Sequence, residues 1–352
     1  MRGVTMMNNV IDAKICNECI EKINNAASVS LFPHVHADGD ALGSVFALAR
    51  AIKKTGKTVR VFLCEKPEDD LLFLVPENSL GIEINVYSND ADINNFDVSE
   101  LAIGVDCATK ERMDGWHEIY KKSPFKIKID HHIPGENSDF GDLNIVNPIW
   151  SATGEAIWHL LDTMGAEIDY KMALCLYTAI LTDTGRFIYS NVTSDTFEIA
   201  SKLIQITGSD VTWVARRVYD VKPQRTIRFL SAAYSRIEYF EDGKIAYVYI
   251  PNSVFSETEA YVEDSNALSS IMRDIDGVKV SIFVRDAKNS CADSCGSSYK
   301  VSMRSSAECD VAAVASVFGG GGHVRAAGLS FTGTEKELKE KLLKEVGARL
   351  GI

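Results

Sequence analysis

The residues best suited to chemistry lie in one short stretch, His34-Val35-His36-Ala37-Asp38-Gly39-Asp40-Ala41-Leu42-Gly43-Ser44. The apolar run 29–32 before it predicts a buried strand, and apolar residues at helical spacing over 41–54 predict a helix after it. A helix start favours one carboxylate as a cap, but it gives no reason for a histidine and a second aspartate beside it. We therefore expect a cation at this turn that acts on phosphate. The carboxyl edge of an open α/β sheet is also where such folds bind ligands.

Two further predicted strands end in ionisable side chains. The apolar run 101–105 is followed by Asp106, and the alternating run 125–129 is followed by Asp130-His131-His132. Because the carboxyl ends of parallel strands share one edge of a sheet, we expect these residues to meet the first stretch. The chain after them, from 133 to 148, is predicted to be a loop.

Asp183 lies at the end of a predicted helix over 170–181, where the helix dipole disfavours a negative charge. A nearby cation would remove that objection. Two histidines and four aspartates exceed what one ion needs, and they suit two ions about 3.5–4 Å apart that share a carboxylate. Oxygen and imidazole donors without thiolate favour Mn²⁺, Mg²⁺ or Fe²⁺ over a structural zinc.

The overall composition limits the function. The 352 residues are enough for two domains, and a net charge of −12 argues against a broad basic face for long duplex nucleic acid. This charge does not exclude a short phosphate substrate, because bound cations supply local positive charge. No apolar run is long enough to span a bilayer and the first residues lack a signal-peptide core, so we expect a cytoplasmic protein that does not bind membranes.

Eight cysteines are scattered along the chain. Cys16 and Cys19 have CxxC spacing, and Cys291 and Cys295 could join them as zinc ligands. The cysteines fit better as free thiols in a reducing compartment, because the CxxC pair falls in a helical pattern with no βαβ context before it.

A second, strand-rich region contains the glycine run 319–322, which is followed by His323. Consecutive glycines cost backbone entropy and bury nothing, so we interpret the run as allowing backbone N–H groups to approach an anion. We expect His323 to begin a helix, which is also a position that favours anions. Arg304, on the preceding predicted strand, strengthens this interpretation.

Several motifs together resemble those of the DHH phosphoesterase superfamily. They are, in order, His34-x-x-x-Asp38-x-Asp40, Val105-Asp106, Asp130-His131-His132 and Thr182-Asp183-Thr184-Gly185. Near the end of the chain, Val301-Ser302-Met303-Arg304-Ser305 and Gly320-Gly321-Gly322-His323 resemble the associated DHHA1 domain. The resemblance covers nearly the whole chain. It is closest to the nano-RNase branch, which contains oligoribonucleases that also act as pAp phosphatases or cleave linear and cyclic dinucleotides.

The resemblance implies an α/β fold with three parts. Residues 1–192 would form a catalytic DHH domain, a parallel sheet with helices on both faces. Residues 193–232 would form a helical connector, and 233–352 a smaller DHHA1 domain with a mixed sheet that binds substrate.

The resemblance also implies roles for individual residues. One divalent ion would bind His34, Asp38 and Asp106, and a second would bind Asp40, Asp106, His131 and Asp183. Mn²⁺ is the usual ion, with Mg²⁺ or Fe²⁺ as alternatives. His132 would contact the scissile phosphate, and Asp130 would support the histidine pair. The remaining substrate contacts would come from Arg304, Ser305, Gly320, Gly321, Gly322 and His323.

We therefore expect a phosphodiesterase that hydrolyses very short oligoribonucleotides or linear dinucleotides to mononucleotides with water activated by two metals, and that also removes the 3′-phosphate of pAp. A cyclic-dinucleotide phosphodiesterase is the first alternative. A longer-substrate exonuclease would need a basic channel, and pyrophosphatases usually have a different C-terminal domain. A nucleotide sensor without catalysis would leave buried carboxylates repelling one another. The oligomeric state stays open, with a homodimer as one option.

Three features depart from the family pattern. Ala37 stands where proline is common, His36 stands where asparagine or arginine is common, and the loop around Cys291 and Cys295 is longer than usual. His36 could be a spare ligand, a substrate contact or a neutral variation.

Overall fold

A computed structural model describes residues 11–87, 93–135, 137–208, 211–287, 297–306 and 308–352. Contacts divide the chain into two units, Met1–Val221 and Lys222–Ile352. This division falls inside the predicted connector. Within the described ranges, no helix combines the length and hydrophobicity that crossing a bilayer requires.

The N-terminal unit contains the predicted parallel sheet. Its strands are β1 (Ser28–Phe32), β2 (Thr58–Leu63), β3 (Glu83–Val86), β4 (Leu101–Val105), β5 (Phe125–Asp130) and β6 (Leu143–Val146). All neighbours pair in parallel in the order β3-β2-β1-β4-β5-β6. The order reverses between β1 and β4, and open α/β sheets bind ligands at the carboxyl end of such a reversal.

Helices pack around this sheet, as predicted. They are α1 (Ala13–Asn25), α2 (Gly39–Lys54), α3 (His117–Lys122), α4 (Thr153–Thr163), α5 (Tyr170–Asp183), α6 (Ser194–Thr207) and the short α7 (Thr212–Ala215), which continues into a π-helical turn at Arg216–Asp220. Successive strand residues feed two separate cores. On β4, Ile103 packs with residues of α1, α2, α4 and α5, whereas Ala102 packs with an aromatic cluster that includes Trp116. Both faces of the sheet are therefore covered.

Glycines bring three of these helices close together beside the predicted site. A β-carbon on Gly43 of α2 would lie 2.4 Å from the carbonyl oxygen of Cys175 on α5. A β-carbon on Gly154 of α4 would lie 2.6 Å from that of Ala179 on α5. Only glycine permits these approaches, so Gly43 and Gly154 set how closely α2 and α4 pack against α5, whose last residue is Asp183.

The C-terminal unit has a mixed sheet, also as predicted. Its strands are β7 (Glu238–Phe240), β8 (Ile245–Ile250), β9 (Val280–Asp286), β10 (Ser297–Ser305), β11 (Gly321–His323) and β12 (Ala326–Gly333). Its helices are α8 (Gln224–Tyr234), α9 (Asn252–Thr258), α10 (Leu268–Arg273), α11 (Val311–Val317) and α12 (Glu335–Leu350). The strand order is β11-β12-β10-β9-β8-β7, and within it β8 and β9 are parallel while the other pairs are antiparallel.

Two predictions of local structure are wrong. The segment 133–148 is not entirely loop, because β6 extends the sheet beside β5. His323 does not begin a helix. It ends β11, which forms a hairpin with β12 in which His323 pairs with Ala326.

The cysteines that the structure describes are all buried free thiols: Cys16, Cys19, Cys64, Cys107, Cys175 and Cys309. Cys16 and Cys19 lie on the core side of α1 and pack in the hydrophobic core. Cys291 and Cys295 lie outside the described residues.

Candidate metal centre

The predicted ligands meet at the carboxyl edge of the N-terminal sheet, where the strand order reverses. His34 lies in the turn after β1, and Asp38 caps α2. The Oδ1 atom of Asp38 accepts hydrogen bonds from the backbone N–H groups of Asp40 (3.0 Å) and Ala41 (3.1 Å). Asp106 follows β4, the strand next to β1. Local capping and strand pairing thus bring these carboxylates to one place.

His34, Asp38 and Asp106 form a first group of candidate ligands. One donor atom of each lies within 4.8 Å of the others. Nε2 of His34 lies 3.4 Å from Oδ2 of Asp106 and 3.9 Å from Oδ1 of Asp38. Nδ1 of the same ring lies 2.6 Å from the carbonyl oxygen of Val35. With its proton on Nδ1, the ring donates to this carbonyl and keeps the Nε2 lone pair for a cation. In the other tautomer, Nδ1 accepts from Nη2 of Arg112, which lies 2.8 Å away.

Asp40, His131 and Asp183 form a second group at the same spacing. Nε2 of His131 lies 3.2 Å from Oδ2 of Asp183 and 3.7 Å from Oδ2 of Asp40. The same atom lies 3.7 Å from Oδ1 of Asp106, whose Oδ2 faces His34. Asp106 therefore directs one oxygen toward each group, which is the arrangement of a carboxylate that bridges two cations.

Buried donors hold the two central carboxylates. Asp40 accepts hydrogen bonds from the backbone N–H groups of Thr153 (2.7 Å) and Gly154 (2.9 Å) and from the hydroxyl of Ser44 (3.0 Å). The hydroxyl of Thr153 donates to Oδ1 of Asp106 at 2.9 Å. Thr153 was not anticipated from the sequence, since it lies far from every motif and reaches the site only through the packing of α4.

The electrostatics of the cluster fit a divalent cation. Burial raises the pKa of Asp40, and the charges of Asp106 and Asp183 raise it further. Burial likewise raises the pKa of Asp183 to about 6, against the opposing effect of His131. For Asp106, burial raises the pKa, but a hydrogen bond to His34 and the nearby His131 outweigh it, so the net shift is downward. Asp40 and Asp183 thus resist ionising beside the charged Asp106, and these carboxylates, with imidazole as the other donor, make a set suited to hard divalent cations.

His132 lies beside the cluster with its ring anchored from behind. Its Nδ1 lies 2.7 Å from Oδ1 of Asp130, and the backbone N–H of His131 donates to that same oxygen at 2.9 Å. The hydrogen bond with Asp130 raises the pKa of His132, although burial lowers it. The His132 side chain is 43% exposed, in contrast to the fully buried Asp130. The ring is therefore fixed in place and open to a substrate.

Lys128 completes this arrangement and was not anticipated from the sequence. Its Nζ lies 3.0 Å from Oδ2 of Asp130 and donates to the carbonyl oxygens of Ala108 (3.0 Å) and Ser138 (3.1 Å). The Lys128 side chain is only 1% exposed. Alternation along β5 gave no sign that one lysine of this strand is buried as the counter-charge of Asp130.

Arg112 is a second unanticipated neighbour. Its Nη2 lies 2.8 Å from Nδ1 of His34, and its backbone carbonyl accepts a hydrogen bond from the N–H of Val35. Arg112 is exposed, and among the described residues no carboxylate pairs with it. It is a cation at the rim of the first ligand group.

His36 does not join the ligands. It has a φ of 55°, a conformation that asparagine, aspartate and histidine tolerate better than most other residues, which explains why a histidine fits here. Its Nδ1 lies 3.2 Å from Oε1 of Glu65, and its backbone N–H donates to Oε2 of Glu65 at 2.9 Å.

The predicted substrate residues lie in the C-terminal unit, on β10 and in the β11–β12 hairpin. Arg304 is half-buried on β10, and burial followed by the nearby charge of Arg273 lowers its pKa. Ser305 is buried and its hydroxyl donates to the carbonyl oxygen of Cys309 at 2.6 Å, which gives it a structural contact. His323 is exposed on β11.

The glycine run has a packing role that the sequence interpretation denied. A β-carbon on Gly320 would lie 2.4 Å from the carbonyl oxygen of Gly328, and one on Gly322 would lie 2.4 Å from that of Ala326. Both glycines therefore let β11 approach β12. Gly319 and Gly321 have open space where a β-carbon would lie, so their backbone is the part of the run that a ligand could approach.

Comparison with known families and structures agrees with this architecture. Residues 28–180 match the model of the DHH family, N-terminal domain, and residues 242–351 match that of the DHHA1 domain. The chain is also similar in fold to the crystal structure of an exopolyphosphatase-related protein from Bacteroides fragilis. The two share 25% sequence identity with a TM-score of 0.86, over 98% of this chain and 99% of the other.

Two curated relatives are named bifunctional oligoribonuclease and PAP phosphatase NrnA. The protein from Thermus thermophilus is 30% identical over 90% of this chain and 88% of its own length. The protein from Bacillus subtilis is 27% identical over 89% of this chain and 92% of its own length.

Proposed function

Because the chain belongs to the DHH family and carries the DHHA1 domain, we propose that it hydrolyses very short oligoribonucleotides and linear dinucleotides to mononucleotides, and also removes the 3′-phosphate of pAp. Family membership makes the chain a metal-dependent phosphoric ester hydrolase. The substrate class follows the names of the two curated relatives, which match over most of both chains. The net charge of −12 agrees with a short substrate rather than a long duplex.

The position of Asp106 between the two ligand groups is the observation that carries this proposal. His34, Asp38 and Asp106 would hold one divalent ion, and Asp40, Asp106, His131 and Asp183 would hold the second, with Mn²⁺ as the expected metal. Such a pair of ions neutralises phosphate charge, activates water and stabilises the leaving oxygen when bound. A single structural cation would need neither a shared carboxylate nor this many donors.

The side chains around the ligands orient the substrate. The hydrogen bond with Asp130 holds the Nδ1 proton of His132, so a protonated ring presents its Nε2–H to a phosphoryl oxygen. His132 and, behind it, Lys128 keep the Asp130 carboxylate charged in a buried position, and this fixes the ring in one orientation. In the C-terminal unit, Arg304 and His323 would bind a second phosphate or base of the substrate.

One parallel assay tests the proposal. Purified protein with Mn²⁺ is offered a linear dinucleotide, pAp, a cyclic dinucleotide and a longer RNA, and the products are separated by chromatography. We expect the dinucleotide and pAp to be hydrolysed fastest. Preferred turnover of the cyclic dinucleotide would replace this proposal with the alternative phosphodiesterase, and nucleotide binding without any turnover would indicate a sensor.

The matched variants are Asp106→Ala and Asp162→Ala, the latter an exposed aspartate on α4. The Asp106 variant should fold, as judged by circular dichroism, yet lose both Mn²⁺ binding and turnover. The Asp162 variant should keep both. Full activity of the Asp106 variant, or of the wild type in excess chelator, would refute the proposed mechanism.

A further inference from the structure

A cavity of about 370 Å³ lies directly beside the metal centre, entirely within the N-terminal unit. Asp38 and Asp183, one from each ligand group, form part of its wall. A group inside this cavity is therefore next to any phosphate that the cations hold. We refer to it below as the rim cavity.

The rim cavity combines an apolar wall with a few polar groups. Leu42, Pro67, Leu71 and Val218 supply apolar surface, while Lys66 and Glu68 supply a donor and an acceptor. A pocket of this composition suits a planar, uncharged ring with polar edges. It does not suit a second phosphate, because the carboxylates of Asp38, Asp183, Glu65 and Glu68 around it outnumber the one lysine.

His36 forms the rim of this cavity in a fixed orientation. One carboxylate, Glu65, binds both its backbone N–H (2.9 Å) and its ring Nδ1 (3.2 Å), and so holds the residue at a φ of 55°. The His36 side chain is nevertheless 86% exposed. The ring thus forms an aromatic surface at the mouth of the rim cavity. Its orientation is set by Glu65 and not by packing against other side chains.

We propose that the rim cavity binds the nucleobase of the nucleotide whose phosphate lies on the metal centre, and that His36 is the aromatic surface on which this base stacks. The inference rests on the proposed function and adds a base subsite to it. Lys66, which makes no ion pair among the described residues, and Glu68 would contact the polar edge of the base. The bases differ from one another in the donors and acceptors at that edge, so a preference among bases would arise at Lys66 and Glu68.

Binding of fragments tests the subsite without requiring turnover. The Mn²⁺-loaded full-length protein is titrated by calorimetry with AMP and with ribose 5-phosphate, which has the same phosphate and sugar but no base. The variant is His36→Asn, because asparagine also accepts the left-handed backbone and keeps the backbone N–H for Glu65. His117→Asn is the matched control, since His117 lines a different cavity.

In the wild type, we expect AMP to bind at least about tenfold more tightly than ribose 5-phosphate, because stacking of a base is worth a measurable part of the affinity. His36→Asn should weaken AMP binding about fivefold and leave ribose 5-phosphate within about twofold. Equal affinities of wild type and variant for AMP would overturn the subsite. So would an equal loss for both ligands, which would mean that His36 acts on the phosphate.

Failure of this inference and failure of the proposed function give different results. If the wild type does not hydrolyse a dinucleotide but His36→Asn selectively weakens AMP binding, the base subsite stands and the proposed function falls. If the dinucleotide is hydrolysed and the variant binds AMP normally, the function stands and the base binds elsewhere.

Discussion

Replacement of Lys128 with methionine should destabilise the N-terminal unit and slow catalysis. The Lys128 side chain is 1% exposed, and its Nζ lies 3.0 Å from Oδ2 of the fully buried Asp130. It also donates to the carbonyl oxygens of Ala108 and Ser138. Methionine fills similar space but carries no charge and no donor, so the variant leaves the Asp130 carboxylate and both carbonyls without this partner.

The expected loss follows from this geometry. Removal of one member of a buried ion pair costs about 3–5 kcal/mol, because the remaining charge is buried and uncompensated. We expect the lower end, about 3 kcal/mol, since His132 and a backbone N–H still bind the other oxygen of Asp130. Turnover should fall about 10- to 100-fold, because the carboxylate that orients His132 is disturbed.

Tryptophan fluorescence during urea unfolding measures this loss selectively, because all four tryptophans lie in the N-terminal unit. Lys126→Met is the matched control: Lys126 lies on the same strand, is 22% exposed and pairs with the exposed Asp142. We expect its loss to stay below about 1 kcal/mol. The double variant Lys128→Met, Asp130→Asn removes both charges, so it should be more stable than Lys128→Met alone. A Lys128→Met protein as stable as the control would refute the reasoning.

Three further predictions concern pH, substrate and phosphate. The pKa of Asp183 is raised to about 6, so protons compete with a cation for this carboxylate below that pH. Lowering the pH from about 7.5 to about 5.5 should therefore weaken Mn²⁺ binding, measured by calorimetry, at least about fourfold. A constant affinity would contradict the assignment of Asp183 as a ligand. Arg304→Ala should raise KM for a dinucleotide while kcat changes little, and a loss confined to kcat would place Arg304 in the chemical step instead. Arg112→Ala should lower kcat/KM about tenfold and leave the number of bound Mn²⁺ ions unchanged, because the exposed guanidinium beside His34 is available to bind the phosphate of the substrate. An unchanged kcat/KM would exclude a role of Arg112 in binding phosphate.

The sequence predicted best those strands that lie between two other strands of the sheet and are buried on both faces. The predicted run 101–105 coincides with β4 and the run 29–32 with all but the first residue of β1, because mainly apolar sequence is required where both faces of a strand are covered. The edge strand β6 and the β11–β12 hairpin were missed. β6 alternates between buried and partly exposed residues, but over four residues only, and the first strand of the hairpin is Gly-Gly-His, which has no hydrophobic period.

The residues of the candidate site also fall into those that the sequence predicted and those that it did not. Its candidate ligands stand at motif positions whose order along the chain is informative, and the structure brings them within reach of one another. Thr153, Lys128 and Arg112 have no such signal, since each acquires its role from a tertiary contact. A lysine in an alternating strand is normally exposed, and only the structure shows that Lys128 faces Asp130 in the interior.

The order of the ligands along the chain has a consequence for synthesis on the ribosome. Five of these candidates, from His34 to His131, precede β6 in the chain, but Asp183 is the last residue of α5. A nascent chain that ends before α5 lacks the final carboxylate of the candidate centre. The centre is completed only when α5 docks against Gly43 and Gly154, so capture of metal by the growing chain should be late and should report that the first unit has closed.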